Sequence, residues 1–481
     1  MKTRREFIQQ SLMSGALAAL SSGCRSVTNE RRTLDAASLN ALRSQLAGQL
    51  ILPADSTYDS ARGVFWRNPM TNKRPGLIVR CSRRDDIARS VEFAAQHALP
   101  VAVRSGGHSF AGWGTCDDGL VIDLALMNEI TIDPSMQTAR AGAGVMTAAL
   151  VAAAGEHNLA PVQGQCPMVG VSGLTMGGGL GWLSGKHGAA CDNLLSAEFV
   201  TADARTLTAS SEENPDLLWA LRGGGGNFGI ASALTFRLHP IGDVIAGRLS
   251  YRFGDARAVL MTFREVMSAA PDELQAVALF RREEGEPRVH VTLCWSGDPA
   301  AADRIIQPLR MAAALVSDTV ERRPYNRTFG MTGGAPRAFS FVKGSYLQRM
   351  SDESIDAVVE RYAQAPGPEP ALGLDHFMHG AVCRSAPEAT AFDLREPGAV
   401  HVWISAAWDD SSDEAASITW VDETWSTLQA YSGGRVYANF PGSAGDPAAA
   451  YGANYARLVT LKNQYDPSNM FQGNQNIRPT A

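Results

Sequence analysis

The sequence predicts an α+β protein built as two lobes, and three observations predict it. Residues 76–123 run strand, helix, strand, strand with short connections, the rhythm of a mixed α/β layer. Near Pro240 the composition shifts, and residues 242–430 alternate long strands with helices, the pattern of an antiparallel sheet with helices on one face. The 46 glycines cluster at 104–114, 164–188 and 223–229, which marks close backbone approach to a ligand rather than general flexibility. The chain of 481 residues is long enough for two or three domains at about 150 residues each. Its 45% hydrophobic and 19% charged content is that of an ordinary globular protein. The net charge of −6, with no Lys/Arg block, argues against a nucleic-acid partner.

The elements follow in order. Residues 1–33 read as a signal segment: Arg4 and Arg5 in "TRREFIQQ" precede the apolar run "SLMSGALAAL", as in a twin-arginine export signal. Export to the periplasm or beyond is therefore expected. Cys24, after "SSG", is a candidate lipid anchor, although Ser21 stands where a large aliphatic residue is usual. No later stretch is long and apolar enough to span a bilayer.

The first lobe is expected over 34–241. It opens with a helix and loop over 34–62, then the strand "LIVRC" and the helix "DDIARSVEFAAQHAL", whose Ile87, Val91, Phe93 and Ala94 recur at helical spacing. The strands "PVAVRS" and "GLVIDLA" follow, then a strand pair and the helix "MTAALVAAAGEHNL". The strand-like "AEFVTADARTLTAS" and the helix "NPDLLWALRG" complete it. The second lobe, 242–434, carries the strands "RVHVTLCW" and "AVHVWISAAW" and the helices "SDESIDAVVERYAQA" and "SITWVDETWSTLQAY". A closing segment, 435–481, holds a helix and an Asn/Gln-rich loop. Seven cysteines are present; they fit neither a zinc pattern nor CxxC, and no metal is expected.

Three glycine motifs carry the chemistry. "GGGNFG" places Gly224, Gly226 and Gly229 in a G-x-G-x-x-G pattern, but a helix precedes it and "IASALTFRL" after it alternates like a strand. A dinucleotide fingerprint needs the reverse order, so a nicotinamide site is rejected here. "RSGGHS" does follow a strand, and Gly106 and Gly107 allow its N–H groups to converge into an anion-binding nest suited to a pyrophosphate. Read alone, it is more often a tight surface turn with a solvated His108. "GQCPMVGVSGLTMGGGLG" holds Cys166, which alone reads as a small buried hydrophobe. The two segments together are the signal.

Taken with "PVAVRSGGHSFAGWG", "DLLWALRGGGGNFGI" and "YGANYARLVTLKNQYDPSNMFQGNQNI", these motifs resemble the berberine-bridge-enzyme-like FAD-linked oxidases of the vanillyl-alcohol-oxidase (PCMH) type, over roughly residues 60–481. The resemblance implies an FAD-binding domain at 34–241, a substrate domain at 242–434 whose antiparallel sheet roofs the isoalloxazine, and a tail that returns to complete the FAD domain. It implies bicovalent FAD, through His108 to the 8α-methyl group and Cys166 to flavin C6. It further implies a cofactor cradle of Arg104, Ser105, Gly106, Gly107 and Ser109 in the first loop and Gly170, Gly173, Gly177 and Gly178 in the second. Asn193, Gly229 and Ile230 join them, with positions 473 and 475 of the closing "GNQN" (Gly473 and Gln475, interleaved with Asn474 and Asn476).

Val169 matches the family position beside the oxygen-reactive face, where valine accompanies oxidases. The family base is the last tyrosine of Y-x-N-Y; here the stretch is "YANF", and Phe440 cannot take a proton. Asp375 in "LGLDHFMHGAV" is then the expected base, helped by His379 or Tyr437. On a regular strand Asp375 and His379 would share one face and His376 the other.

The expected function is oxidation of a small organic substrate, an alcohol, sugar, phenol or alkaloid-like compound, with O2 as acceptor and H2O2 as product. The alternatives are a dehydrogenase that passes electrons to another acceptor and a flavin-binding protein without turnover. Replacing Arg4 and Arg5 together with Lys is expected to leave the protein in the cytoplasm, as cell fractionation would show; normal secretion of that variant would refute the export assignment.

Overall fold

The computed structural model describes residues 34–333, 337–367, 369–440 and 447–480; Arg4, Arg5, Cys24 and the side chain of His376 lie outside the described residues. Among these residues the strands form three sheets. The first holds β1 (Gln49–Ile51), β2 (Leu77–Arg80), β3 (Val101–Arg104) and β4 (Leu120–Asp123) in the order β1-β2-β4-β3. β2, β4 and β3 run parallel. Parallel strands covered on both faces read as continuous apolar runs, and Leu77–Val79 and Leu120–Ile122 are wholly buried. The crossover helix Arg84–His97 between β2 and β3 is anchored by the buried carboxylate of Asp86, which accepts from the N–H groups of Ala47, Gly48 and Ser82. β3 thus delivers the glycine-histidine loop at its C-terminal end.

The second sheet is antiparallel: β5 (Ile130–Asp133), β6 (Thr138–Gly142), β7 (Leu159–Pro161), β8 (Leu194–Thr201), β9 (Thr206–Ala209) and β10 (Gly229–Pro240), in the order β5-β6-β10-β8-β9 with β7 on the far end of β10. The helix Pro215–Leu221 precedes the "GGGNFG" turn and β10 follows it, the order opposite to a dinucleotide fingerprint.

The third sheet begins two residues after β10. It is antiparallel and holds β11 (Asp243–Arg252), β12 (Leu274–Glu283), β13 (Glu286–Trp295), β14 (Leu315–Asp318), β15 (Glu321–Pro324), β16 (Phe339–Leu347), β17 (Glu369–Phe377) and β18 (Val400–Trp408). The order is β14-β11-β13-β12-β17-β18-β16, with β15 beside β14 on β11. Alternation along the strands splits its faces. Leu274, Ala276, Ala278, Phe280, Leu372, Leu374, Val402 and Ile404 point into one apolar core with the helices Ala256–Ser268, Asp352–Ala363 and Glu414–Leu428. The opposite face carries Arg248, His290, Arg281, Asp375, His401 and Trp403.

The tail helix Tyr455–Tyr465 buries Leu458, Leu461 and Tyr465 in the core of the second sheet. Its Lys462 is fully buried and donates to Asp466 at 2.7 Å, to the Asn227 carbonyl at 2.8 Å and to the Phe471 carbonyl at 3.2 Å. Asn227 belongs to the "GGGNFG" turn, so that turn serves as a socket for the tail. Cys81, Cys116, Cys166, Cys191, Cys294 and Cys383 are all free thiols.

Candidate active site

The glycine-histidine loop and the Cys166 loop meet backbone to backbone. A Cβ built on Gly106 would lie 2.4 Å from the Gly170 nitrogen, and one on Gly170 would lie 2.2 Å from Ser105 Oγ and 2.5 Å from the Gly106 nitrogen. Only glycine fits either place. The hydroxyls of Ser105 (2.6 Å) and Ser172 (2.8 Å) donate to one carbonyl, that of Ala143, and close the seam. Gly107 adopts φ +65°, which turns the chain toward His108.

The seam brings His108 and Cys166 together, with 3.7 Å between Nε2 and Sγ. The Trp66 indole donates to His108 Nδ1 at 3.1 Å, and Phe65 stacks on the imidazole at 4.1 Å. Because an indole N–H can only donate, Nδ1 is the acceptor and the neutral ring carries its proton on Nε2, facing the sulfur. Burial holds the His108 pKa down at about 4 and pushes the Cys166 thiol up. Both groups are therefore uncharged at neutral pH. Phe110 extends the aromatic wall from Trp66 (5.2 Å) to Phe440 (5.1 Å). The glycine motifs give no hint of Phe65 or Trp66, which stand isolated in "VFWRNP"; only the tertiary contact reveals them.

The helix Val171–Met176 starts at Gly170 and lies against the turn Gly225–Asn227. Gly173 in that helix and Gly226 in that turn both face open space. The tail reaches the same region. A Cβ on Gly473 would lie 3.1 Å from the Trp113 carbonyl, and the Gln475 carbonyl accepts from Asn227 Nδ2 and the Tyr451 hydroxyl, each at 3.2 Å. Gln165 Nε2, Gln475 Nε2, Asn474 Oδ1 and Asn476 Oδ1 are buried polar atoms without a hydrogen-bond partner among the described residues. Buried groups of this kind call for a polar ligand.

Other expected site residues have side chains engaged within the protein. The Arg104 guanidinium is engaged by Asp123 (2.8 Å) and by the carbonyls of Ala61 and Gly63, so its side chain anchors the loop from behind. Ser109 Oγ accepts from the Trp113 N–H at 3.4 Å and shapes the same loop. Asn193 is fully committed: its amide donates to the His187 and Ala189 carbonyls and its oxygen meets His239 Nε2 at 2.7 Å. Gly229, at φ +149°, lets β10 start against the Val200 carbonyl, and Ile230 is buried beside it. Gly177 takes the tail, where a built Cβ would strike Asn439 at 2.1 Å, and Gly178 meets both Phe392 at 2.8 Å and the tail's Tyr437 at 3.1 Å.

The two residues expected to help Asp375 take part in other contacts. The Tyr437 hydroxyl is buried and accepts from the Gly179 N–H (2.8 Å) and Asn439 Nδ2 (3.0 Å), and burial raises its pKa further. It locks the tail onto the glycine turn. His379 does not share a strand face with Asp375. β17 slips register between Asp375 and Phe377 and ends there, and His379 Nε2 instead meets Gln275 Oε1 at 2.8 Å. Asp375 does lie on the open face of the third sheet, 8% exposed and opposite His401, whose ring is 4.6 Å from Tyr437.

Residues 75–210 match the family described as FAD binding domain, and residues 436–478 the family described as berberine and berberine-like. The chain is 30% identical over 459 residues to (R)-6-hydroxynicotine oxidase of Paenarthrobacter nicotinovorans, covering 90% of this chain and 97% of that protein. It is 28% identical over 447 residues to an uncharacterized FAD-linked oxidoreductase of Bacillus subtilis, covering 91% and 98%. The crystal structure of 6-hydroxy-D-nicotine oxidase from Arthrobacter nicotinovorans superposes with a TM-score of 0.83 at 28% identity, over 90% of this chain and 98% of that one. The residues present fit FAD: Gly173 and Gly226 leave room where side chains would fill the cradle, and the orphaned amides of Gln165 and Gln475 suit a polar cofactor.

Two glycine variants separate the seam from the cradle. Gly170→Ala is expected to cost ~1–3 kcal/mol of stability by overpacking and to lower the flavin-to-protein absorbance ratio. Gly173→Ala, which faces open space, is expected to lower flavin content while leaving the thermal midpoint near wild type. Full flavin content in Gly173→Ala would remove that helix face from the cofactor site.

Proposed function

Because the chain belongs to the berberine-bridge-enzyme-like FAD-linked oxidoreductases, we propose that it is an exported oxidase of a small organic substrate with FAD bonded to both His108 and Cys166. The reaction is hydride removal from an alcohol, sugar, phenol or alkaloid-like carbon, with O2 reduced to H2O2. The 3.7 Å approach of His108 Nε2 to Cys166 Sγ is the observation that carries the double attachment. FAD, when bound, supplies the hydride acceptor; the protein supplies position and protonation state. His108 is neutral and oriented by Trp66, so it presents an uncharged ring with Nε2 toward Cys166. Two bonds would retain the cofactor after export, a route supported by Arg4 and Arg5 ahead of an apolar run. The oxidase reading over the dehydrogenase one is supported by the name of the nicotine-oxidising relative.

Val169 and Asp375 divide the remaining work. The Val169 carbonyl accepts from both the N–H (2.9 Å) and the hydroxyl (3.0 Å) of Thr147, which fixes its half-buried side chain three residues past Cys166. That rigidity supports a role in shaping the O2 approach. Asp375 offers a carboxylate on the sheet face where Phe440 offers nothing, which supports it as the proton acceptor.

On acid precipitation the flavin colour is expected to stay with the polypeptide, to persist in His108→Ala and in Cys166→Ala, and to be released only from the double variant. Free FAD from acid-treated wild type would sink the covalent reading. In stopped-flow experiments Asp375→Asn is expected to slow anaerobic flavin reduction at least about tenfold, the low end of a general base's contribution, with FAD still bound. In the same apparatus Val169→Leu is expected to slow reoxidation by O2 while leaving reduction nearly unchanged. Wild-type rates in either variant would remove that residue from the mechanism.

A further inference from the structure

The face of the third sheet opposite its helices carries a charge cluster that none of the roles above uses. Its central row crosses the strands as Ser250, His290, Leu279, Gly373, Trp403 and Gly344. Arg281 and Arg288, paired across β12 and β13, flank that row on one side, and Arg248, opposite Thr292, flanks it on the other. Three guanidiniums therefore surround His290.

Among the described residues no carboxylate forms an ion pair with the inner two. Among the described residues the partners of Arg248 and Arg281 are backbone carbonyls: Met331 for Arg248, and Thr332 and Gly333 for Arg281. Glu283 and Glu369 act on them only through space; Glu283 is exposed and Glu369 is engaged by Arg337 at 2.6 Å. Burial and the charge of Arg248 hold Arg281 down at about 10. A half-buried pair of like charges without a counterion is costly unless a ligand supplies one. His290 gives the second, independent sign. It is fully buried, its Nδ1 meets Ser250 Oγ at 2.9 Å, and its Nε2 has no partner among the described residues. Burial and the three arginines keep it neutral, with a pKa of about 3. When the Ser250 hydroxyl donates to Nδ1, the ring proton sits on Nε2 as one more donor for an anion.

The cluster adjoins the candidate active site. The segment that holds the two arginines also rests on the Cys166 loop: the Gly330 N–H donates to the Gln165 carbonyl at 3.1 Å, and a Cβ on Gly330 would lie 3.8 Å from Pro167. In the other direction the row becomes apolar. The Trp403 indole lies across Gly373, where a Cβ would be 2.3 Å from its Nε1, next to Leu279.

We infer that the substrate carries a carboxylate, held by the half-buried Arg281 and Arg248 with the buried His290 behind them, and an apolar or aromatic body that lies along Trp403. A planar guanidinium fork matches a carboxylate in two parallel hydrogen bonds. The assignment rests on the oxidase reading for the identity of the bound compound as substrate, but its test does not depend on turnover.

The test uses the flavin-loaded protein at constant ionic strength, titrated with benzoate and with benzyl alcohol as its neutral counterpart. Flavin absorbance and the thermal midpoint report binding. Benzoate is expected to bind at least about tenfold more tightly than benzyl alcohol. Arg281→Met is expected to weaken benzoate roughly ten- to a hundredfold, the range of hydrogen bonds to a charged group, and to leave benzyl alcohol unchanged. Arg281→Lys, which keeps the charge without the fork, should fall between. Arg248→Met provides the same comparison should Arg281→Met lose its flavin. Equal binding of the two probes to the wild type, or undiminished benzoate affinity in flavin-loaded Arg281→Met or Arg248→Met, would overturn the inference. A protein that binds benzoate as expected but is not reoxidised by O2 would refute the oxidase reading and leave the anion site standing.

Discussion

The chemistry of this molecule depends on two stretches of backbone in contact, at Gly106 and Gly170. One leaves the buried parallel strand β3, the other opens the helix Val171–Met176, and neither has room for a Cβ. The shared acceptor at Ala143, bonded by Ser105 and Ser172, holds the seam. Every distance between His108 and Cys166 follows from it, because both residues sit within four positions of the contact. Flexible loops are a poor way to place two side chains, since ordering a free loop has an entropic cost each time. Two loops that share a backbone seam escape that problem: the glycines permit the approach, and the approach then removes their freedom.

The tail repeats this logic with side chains. Asn227 bonds the Gly224 carbonyl, the Gln475 carbonyl and the Ile477 N–H, while its own carbonyl takes a proton donor from the buried Lys462. Tyr437 and Asn439 press onto Gly177–Gly179 from the other end of the same tail. The glycine-rich motifs thus serve two masters. Some glycines face open space where a cofactor would lie, as Gly173 and Gly226 do. Others, such as Gly177 and Gly178, are small because protein packs on them. A motif read from sequence merges the two kinds.

That merging explains what was legible and what was not. The α+β class, the helix before "GGGNFG" and the helix-faced antiparallel sheet follow from local periodicity, which short-range physics controls. His108 and Cys166 were legible through the family resemblance of the glycine-rich segments around them; alone, one reads as a turn histidine and the other as a small buried thiol. Asn193 and Arg104 were read as cofactor residues from their place in a motif, yet their polar atoms are consumed by His239 and Asp123, partners 46 and 19 residues away in the chain. His379 was misplaced because strand alternation was extended past Phe377, where β17 slips register and stops. Trp66 and Arg281 carry no sequence signal at all. A tryptophan in a loop and an arginine in an alternating strand are ordinary until register places them.

The two polar centres also need each other's electrostatic silence. Neutral imidazole and thiol at His108 and Cys166 require a site that does not repel or attract protons strongly. Three arginines a loop away could disturb that. They do not: the low pKa of His108 comes from burial, whereas that of His290 has all three arginines added to burial. The difference is one of place: Arg248, Arg281 and Arg288 flank His290 in the sheet register, whereas His108 stands in the glycine loop after β3. The interaction of two charges falls with distance, so the arginines act on His290 and on whatever lies against that sheet face.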